Sequence, residues 1–150
     1  MKIEAATERD LNQIVRLKIR LFEDVAANWL LADNAVELIT QHYQELYAQK
    51  NAQHFVMRVG DIVVGCAGGF IKNDPPYCYF KTPFYGFIAD VYTLPEHREK
   101  GYATTLTQAA IDWLKEKNCN MIRLIASPQS QNIYENMGFR GTDEMVLWMY

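Results

Sequence analysis

The apolar residues of this chain change their spacing several times, and those changes divide it into elements. "KIEAA" reads as a short opening strand. In "TERDLNQIVRLKIRLFEDV", Leu11, Ile14, Val15, Leu17, Lys18 and Leu21 keep helical spacing. A helix is therefore expected over residues 8–24, opened by Thr7 and Asp10 in a relative of the capping box. "AANWLLADN" reads as a turn or loop. A second helix follows over residues 34–49, capped by Asp33 or Asn34, with Val36, Ile39, Tyr43 and Tyr47 on one face. The period then shortens: "AQHFVMRVGDIVVGCAGGFI" reads as two strands turning at Gly60-Asp61. "FYGFIADVYTL" is apolar on both faces and so reads as a central strand. Residues 102–117 return to helical spacing through Leu106, Ala109, Ala110, Trp113 and Leu114. "NMIRLIA" reads as a strand and "QSQNIYENM" as a short helix, with Gly138 in the C-cap position. "FRGTDEMVLWMY" closes the pattern as a hairpin around "GTDE". The order β-α-α-β-β-β-α-β-α-β-β describes one α/β domain over residues 1–150, built on a mixed sheet.

Composition narrows what such a domain does. Fifteen Lys and Arg against eighteen Asp and Glu give a net charge of −3 with no basic tract, so nucleic-acid binding through phosphates has no support. Cys66, Cys78 and Cys119 are odd in number and form no CxxC pair, which fits reduced thiols better than a disulfide framework or a zinc site. His42 and His54 lack metal-ligand spacing, so no metal is expected. No apolar run reaches a membrane span, and "MKIEAATERD" lacks a signal-peptide stretch, so a cytoplasmic location is expected.

Candidate chemistry gathers where the central strand meets the helix after it, at "EHREKGYATTL". The first amides of a helix lack intrahelical partners, and the helix dipole favours an anion there. Gly101 admits backbone angles closed to other residues, Ala103 keeps the surface low, and Arg98 and Lys100 add positive charge. Alone, this spacing also describes an ordinary loop before a helix. "GCAGG" at 65–69 lies inside a strand, where glycine marks a bulge or close packing.

"DVYTLPEHREKGYATTL" followed by "IYENMGF" resembles the GNAT superfamily of N-acetyltransferases, and the resemblance covers essentially the whole chain. Arg98, Gly101 and Ala103 match the Arg/Gln-x-x-Gly-x-Gly/Ala motif; Tyr134, Gly138 and Phe139 match the family's Tyr-xxx-Gly-Phe. The resemblance implies a mostly antiparallel sheet flanked by helices. It also implies acetyl-CoA as donor and direct transfer of its acetyl group to a primary amine of a small molecule or peptide; the alternatives are a non-catalytic acyl-CoA-binding sensor module or a transferase for another acyl group. It further implies that amides of Glu99, Lys100, Gly101, Tyr102, Ala103 and Thr104 cradle the pyrophosphate, with Arg98 at the edge. Val91, Tyr92 and Thr93 would lie along the pantetheine arm, the backbone of Val91 and Thr93 bonding the arm and the thioester carbonyl. Asn132 would touch the pantetheine or the adenosine end. Tyr134 would face the sulfur as general acid. Ser127 departs from the family, in which Asn is frequent at that position.

Asp90 interrupts the apolar run "FIADVY", where an unpaired carboxylate is costly. It is the candidate base, against a structural ion pair or hydrogen bond; Glu96, His97 or a water are the other candidates. Strand alternation puts Asp90 on one face with Ile88 and Tyr92, opposite Val91 and Thr93. The aromatic loop at 77–87 could line an acceptor pocket, cover the sheet or form a homodimer contact. Helix 34–49, with Glu37 and Glu45, could form one wall.

Overall fold

The computed structural model describes residues 2–76 and 81–149. Five strands form one sheet in the order β1-β2-β3-β4-β5: Ile3–Ala5, Ala52–Val59, Ile62–Asn73, Phe84–Thr93 and Ile122–Leu124. Neighbours pair antiparallel except β4 and β5, which run parallel, so the sheet is mixed and mostly antiparallel as expected. Helices α1 (Leu11–Asp24) and α2 (Ala35–Ala48) cover one face. Helix α3 (Tyr102–Glu116) covers the other, and the short α4 (Gln131–Asn136) follows β5.

The two-residue and 3.6-residue periods explain the layers. Leu11, Ile14, Val15 and Leu17 of α1 are buried with Tyr43 of α2 against Val56, Val63, Cys66, Phe70 and Tyr92. Ala110, Ile111 and Leu114 of α3 are buried with Ile88, and Leu106 with Met57, Val64 and Ala67. Strand β3 is buried on both faces over Val63–Phe70, hence its near-continuous apolar run. The first helix begins as a 3-10 turn, Glu8–Asp10, where the Thr7 amide donates to Asp10 Oδ2 at 2.8 Å. Arg58 of β2 clamps the same carboxylate at 2.7 and 2.8 Å. Gly60 takes the left-handed turn between β2 and β3. Val36 is 43% exposed, off the packed face expected for it.

The glycines of "GCAGG" serve close packing. A Cβ on Gly68 would sit 2.8 Å from the His54 imidazole, and one on Gly69 would sit 3.2 Å from the Trp113 ring. The ladder between β3 and β4 also shifts register between Cys66 and Gly68.

Two expectations are corrected. The closing hairpin does not form: among the described residues no strand follows β5, and Met145 to Met149 lie exposed. Its first arm offers little more than Phe139 and Arg140 before "GTDE", too short to repay closing the turn, since an isolated hairpin is marginal at best. The second correction is to the alternation along β4. Asp90 has φ +60 at the register shift, a bulge that returns consecutive side chains to one face. Ile88 therefore packs towards α3, while Phe87, Ala89 and Tyr92 pack towards α1. The expected aromatic loop lies partly in residues 77–80, outside the described residues.

Gly68→Ala drives a methyl group into the His54 ring. It is expected to lower stability by about 1–3 kcal/mol, as overpacking does, measured by urea unfolding at neutral pH.

Candidate active site

The bulge of β4 is fixed by a buried polar cluster. Asp90 is 4% exposed, and both carboxylate oxygens are engaged. Lys18 of α1 donates to Oδ1 at 2.5 Å. The Tyr43 hydroxyl of α2 donates to Oδ2 at 2.6 Å, and His54 Nε2 of β2 lies 2.8 Å from the same oxygen. Tyr47 closes the cluster: its oxygen accepts from the His54 amide at 3.0 Å and lies 2.8 Å from His54 Nδ1. Burial alone would raise the Asp90 pKa, but the His54 hydrogen bond and the Lys18 charge outweigh it and hold the carboxyl well below the ordinary range. Burial and the Asp90 charge push the Tyr43 hydroxyl far up, so it stays protonated.

Both oxygens of Asp90, the candidate base, thus have partners. A carboxylate with both oxygens occupied and a depressed pKa takes up a proton poorly at neutral pH. Its chemistry here is that of an anchor joining α1, α2, β2 and β4. Lys18, Tyr43, Tyr47 and His54 were not singled out in the sequence as functional. Two signals pointed to them: Lys18 stands on the apolar stripe of α1, and His54 alternates with Ala52 and Val56 on the buried face of β2.

Beyond the bulge the sheet opens. Parallel pairing runs from Gly86↔Ile122 to Ile88↔Leu124, so among the described residues β4 has no partner strand on its outer edge from Ala89 to Thr93. The Gly86 amide donates outward to Met121, and the Leu94 amide donates inward to Val64. With the bulge between them, alternation turns the backbone of Val91 and Thr93 to the unpaired edge, while Tyr92 turns to β3. The Thr93 carbonyl accepts from Arg98 Nε at 2.8 Å, and its hydroxyl is buried without a partner among the described residues.

The edge leads into an anion-ready turn. Glu99 and Gly101 have φ +63 and +78. The first helical amide to find a carbonyl is that of Thr105, on Gly101 at 3.2 Å, so those from Glu99 to Thr104 have no acceptor among the described residues. Successive free amides in such a turn form a concave nest for phosphate oxygens. A pyrophosphate fits this cradle, since Glu99, Lys100, Gly101 and Thr104 are exposed there and nothing lies within 4 Å of the Gly101 α-carbon's open side. Arg98 does not point into it. Its guanidinium reaches Asp24 at 3.2 Å and stacks 5.2 Å over the Tyr92 ring, whose hydroxyl also donates to Asp24.

Tyr134 lies elsewhere. On α4 it is buried, edge-on to Phe139, and lines a cavity of about 800 Å³ with Ile111 of α3 and Leu124 of β5. Burial raises its pKa, so it carries its proton at neutral pH. Asp90 is not among the residues that line that cavity. Asn132 is exposed on α4, and the Ser127 hydroxyl is 2.9 Å from that of Ser130 at the start of that helix. Glu96 is exposed in the 3-10 turn Pro95–His97, and the buried His97 Nδ1 has no partner among the described residues.

An open strand edge thus runs into a turn whose amides have no acceptor among the described residues. The acetyltransferase (GNAT) family matches residues 21–139, and the chain belongs to that family. It is an acetyltransferase with acetyl-CoA as co-substrate. An aminoglycoside N(6')-acetyltransferase type 1 of Acinetobacter haemolyticus is 27% identical over 150 residues, spanning 97% of this chain and 95% of that one. The fold recurs in a predicted acetyltransferase from Clostridium acetobutylicum crystallised with acetyl-CoA (TM-score 0.87, 23% identity, 98% and 94% of the two chains). It recurs also in AAC(6')-Iy bound to a bisubstrate analogue of CoA and monomethyl-acetylneamine (TM-score 0.77, 20% identity, 99% and 97%).

Asp90 holds its proton less tightly folded than unfolded, where the reference value is 3.8. Its contribution to stability is thus present above about pH 4 and is lost as pH falls through the folded value. Asp90→Asn, which leaves Lys18 without its buried partner, is expected to cost about 3 kcal/mol at pH 7. Urea unfolding between pH 7 and pH 2 should show the gap between wild type and variant narrowing in acid.

Proposed function

We propose that residues 1–150 act as one N-acetyltransferase domain that transfers the acetyl group of acetyl-CoA to a primary amine of a small molecule or peptide, by direct attack in a ternary complex. The observation that carries this reading is the run of free amides from Glu99 to Thr104, placed where the open edge of β4 ends. When bound, acetyl-CoA supplies an activated carbonyl and a thiolate leaving group. The cradle holds the pyrophosphate by its amides and the helix dipole, with Lys100 adding charge and Tyr102 and Ala103 forming its floor. The unpaired edge at Val91 and Thr93 binds the pantetheine arm as a strand binds its neighbour. The Val91 amide, aimed outward beside the bulge, stabilises negative charge on the carbonyl oxygen. Asn132 contacts the pantetheine or adenosine end.

Tyr134, kept protonated by burial, donates to the departing sulfur. The acceptor must arrive as a free amine, since an alkylammonium has no lone pair to attack with. Asp90 acts through position, fixing the bulge and so the direction of the Val91 amide, and the proton of the acceptor passes to water.

Two further proposals concern assembly and place. Met145, Val146, Leu147, Trp148 and Met149 are exposed in one run near the C-terminal end of the sequence, and an apolar run of that size marks an interaction surface. A second copy is its cover, giving a homodimer. No helix of the described residues is long and apolar enough to cross a membrane, and Cys66 and Cys119 are free thiols; both fit a cytoplasmic enzyme.

The central test combines a melting shift with turnover. Acetyl-CoA at a hundredfold its Kd should stabilise the protein by about 2.7 kcal/mol. Gly101→Val, forced into a left-handed conformation, should abolish that shift. Thiol release with an amine, and product mass spectrometry showing one added acetyl group, complete the test. A protein that binds acetyl-CoA and acetylates no amine would refute the transfer reading.

Tyr134→Phe should lower kcat by roughly a hundredfold, the lower range for a lost proton donor, with the KM for acetyl-CoA little changed. For the dimer, sedimentation should report two copies for the full chain and one for a chain ending at Thr142.

A further inference from the structure

On the α1/α2 face, directly before the bulge, lies a cavity of about 490 Å³. Its walls are apolar and aromatic, with Ile39 and Leu46 of α2 facing Phe70 of β3 and Phe87 of β4. Its charged groups are the lysines Lys18 and Lys72, with His42 beside them, and no carboxylate lines it. The nearest buried acid, Asp90, has both oxygens engaged by Lys18, Tyr43 and His54. Lys18 and Asp90 thus neutralise each other. Lys72 is left as an uncompensated charge: its ammonium sits 6.0 Å over the Phe70 ring and 5.5 Å over that of Phe87, with no ion-pair partner among the described residues.

We propose that this cavity is the acceptor site and that it selects an amine carried on an apolar frame with a carboxylate several bonds away, such as an apolar dipeptide, rather than a polycationic aminosugar. The inference rests on the proposed acetyl transfer at the β4 bulge. Phe87 and Ala89 line the cavity, so its floor ends one residue short of Asp90. From Phe87, under the Lys72 ammonium, to Ala89 is two strand residues, roughly 7 Å. A carboxylate paired with Lys72 therefore places an amine at the bulge when anion and amine stand about that far apart. The aromatic walls take the apolar frame between them.

The acceptor's carboxylate would compensate the Lys72 charge as Asp90 compensates that of Lys18. A polycationic aminoglycoside meets the opposite field, since its several ammonium groups find no free carboxylate here to pair with. The curated relative named for such substrates shares 27% of its residues with this chain, ample room for the acceptor walls to differ.

The test compares three acceptors with saturating acetyl-CoA: leucyl-phenylalanine, its C-terminal amide, and neamine as the polycation. Thiol release should give a kcat/KM for the free dipeptide roughly tenfold or more above that of either other amine, carried mainly by KM, as expected for one charge contact. Lys72→Glu, an exposed position whose folding is checked by its acetyl-CoA melting shift, should erase the preference for the carboxylate and improve neamine. Preference for neamine, or an amide as good as the free acid, would overturn the proposal while leaving acetyl transfer standing. A melting shift with acetyl-CoA but no turnover of any of the three would instead refute transfer, and this inference with it.

Discussion

A single carboxylate, that of Asp90, sets the geometry on which the rest of the molecule depends. A non-glycine residue at φ +60 inside a strand is strained, at a cost on the order of 1–3 kcal/mol. It persists because three side chains from three other elements converge on its oxygens: Lys18 from α1, Tyr43 from α2 and His54 from β2. Each of these bonds is formed with an ionised partner or in a dry setting, where hydrogen bonds are stronger and an unmet one is costly. The strain and the cluster imply each other, since the bulge delivers Asp90 to the α1/α2 face and the cluster keeps it there.

Two consequences propagate from that anchor along β4. On the outer edge, the bulge shifts alternation by one, so that Val91 and Thr93 take over the outward direction that Gly86 holds before it. Because β5 ends at Leu124, those groups meet no strand. On the α1/α2 face, Lys18 is neutralised at the floor of a cavity whose other lysine is not. Donor and acceptor regions thus meet at one residue from different directions. Packing sustains this: Gly68 gives the His54 ring its room, and Tyr47 orients it from the other nitrogen.

Much of the fold was legible because it rests on local signals. The period changes marked four helices and five strands close to where they stand, and Gly60 and Gly138 take the positive φ angles that their turn and cap positions demand. The turn between β4 and α3 was legible for the same reason, since a strand, a glycine and a helix start are contiguous in "DVYTLPEHREKGYATTL". What was not legible depends on distant residues. The face of Ile88 could not be read from alternation, because the bulge arises from Lys18, 72 residues away in sequence, and from His54 and Tyr43. The alternation of "MVLWM" likewise did not decide the closing hairpin, whose first arm, Phe139 and Arg140, is too short to repay closing the turn.

The role of Asp90 shows how far one buried charge can be read from composition alone. A lone acid in an apolar strand is equally consistent with a base of raised pKa and with a paired anchor of lowered pKa, and only its neighbours decide. Here burial pushes the pKa up, and the His54 hydrogen bond and the Lys18 charge push it down further. Had the carboxylate been free in the cavity, it would have drawn cationic acceptors and taken their protons. Bound as it is, it does neither, and the field left at the cavity is that of Lys72. The buried acid that interrupts the strand thus compensates Lys18, and Lys72 is left as the cavity's lysine without an ion-pair partner among the described residues.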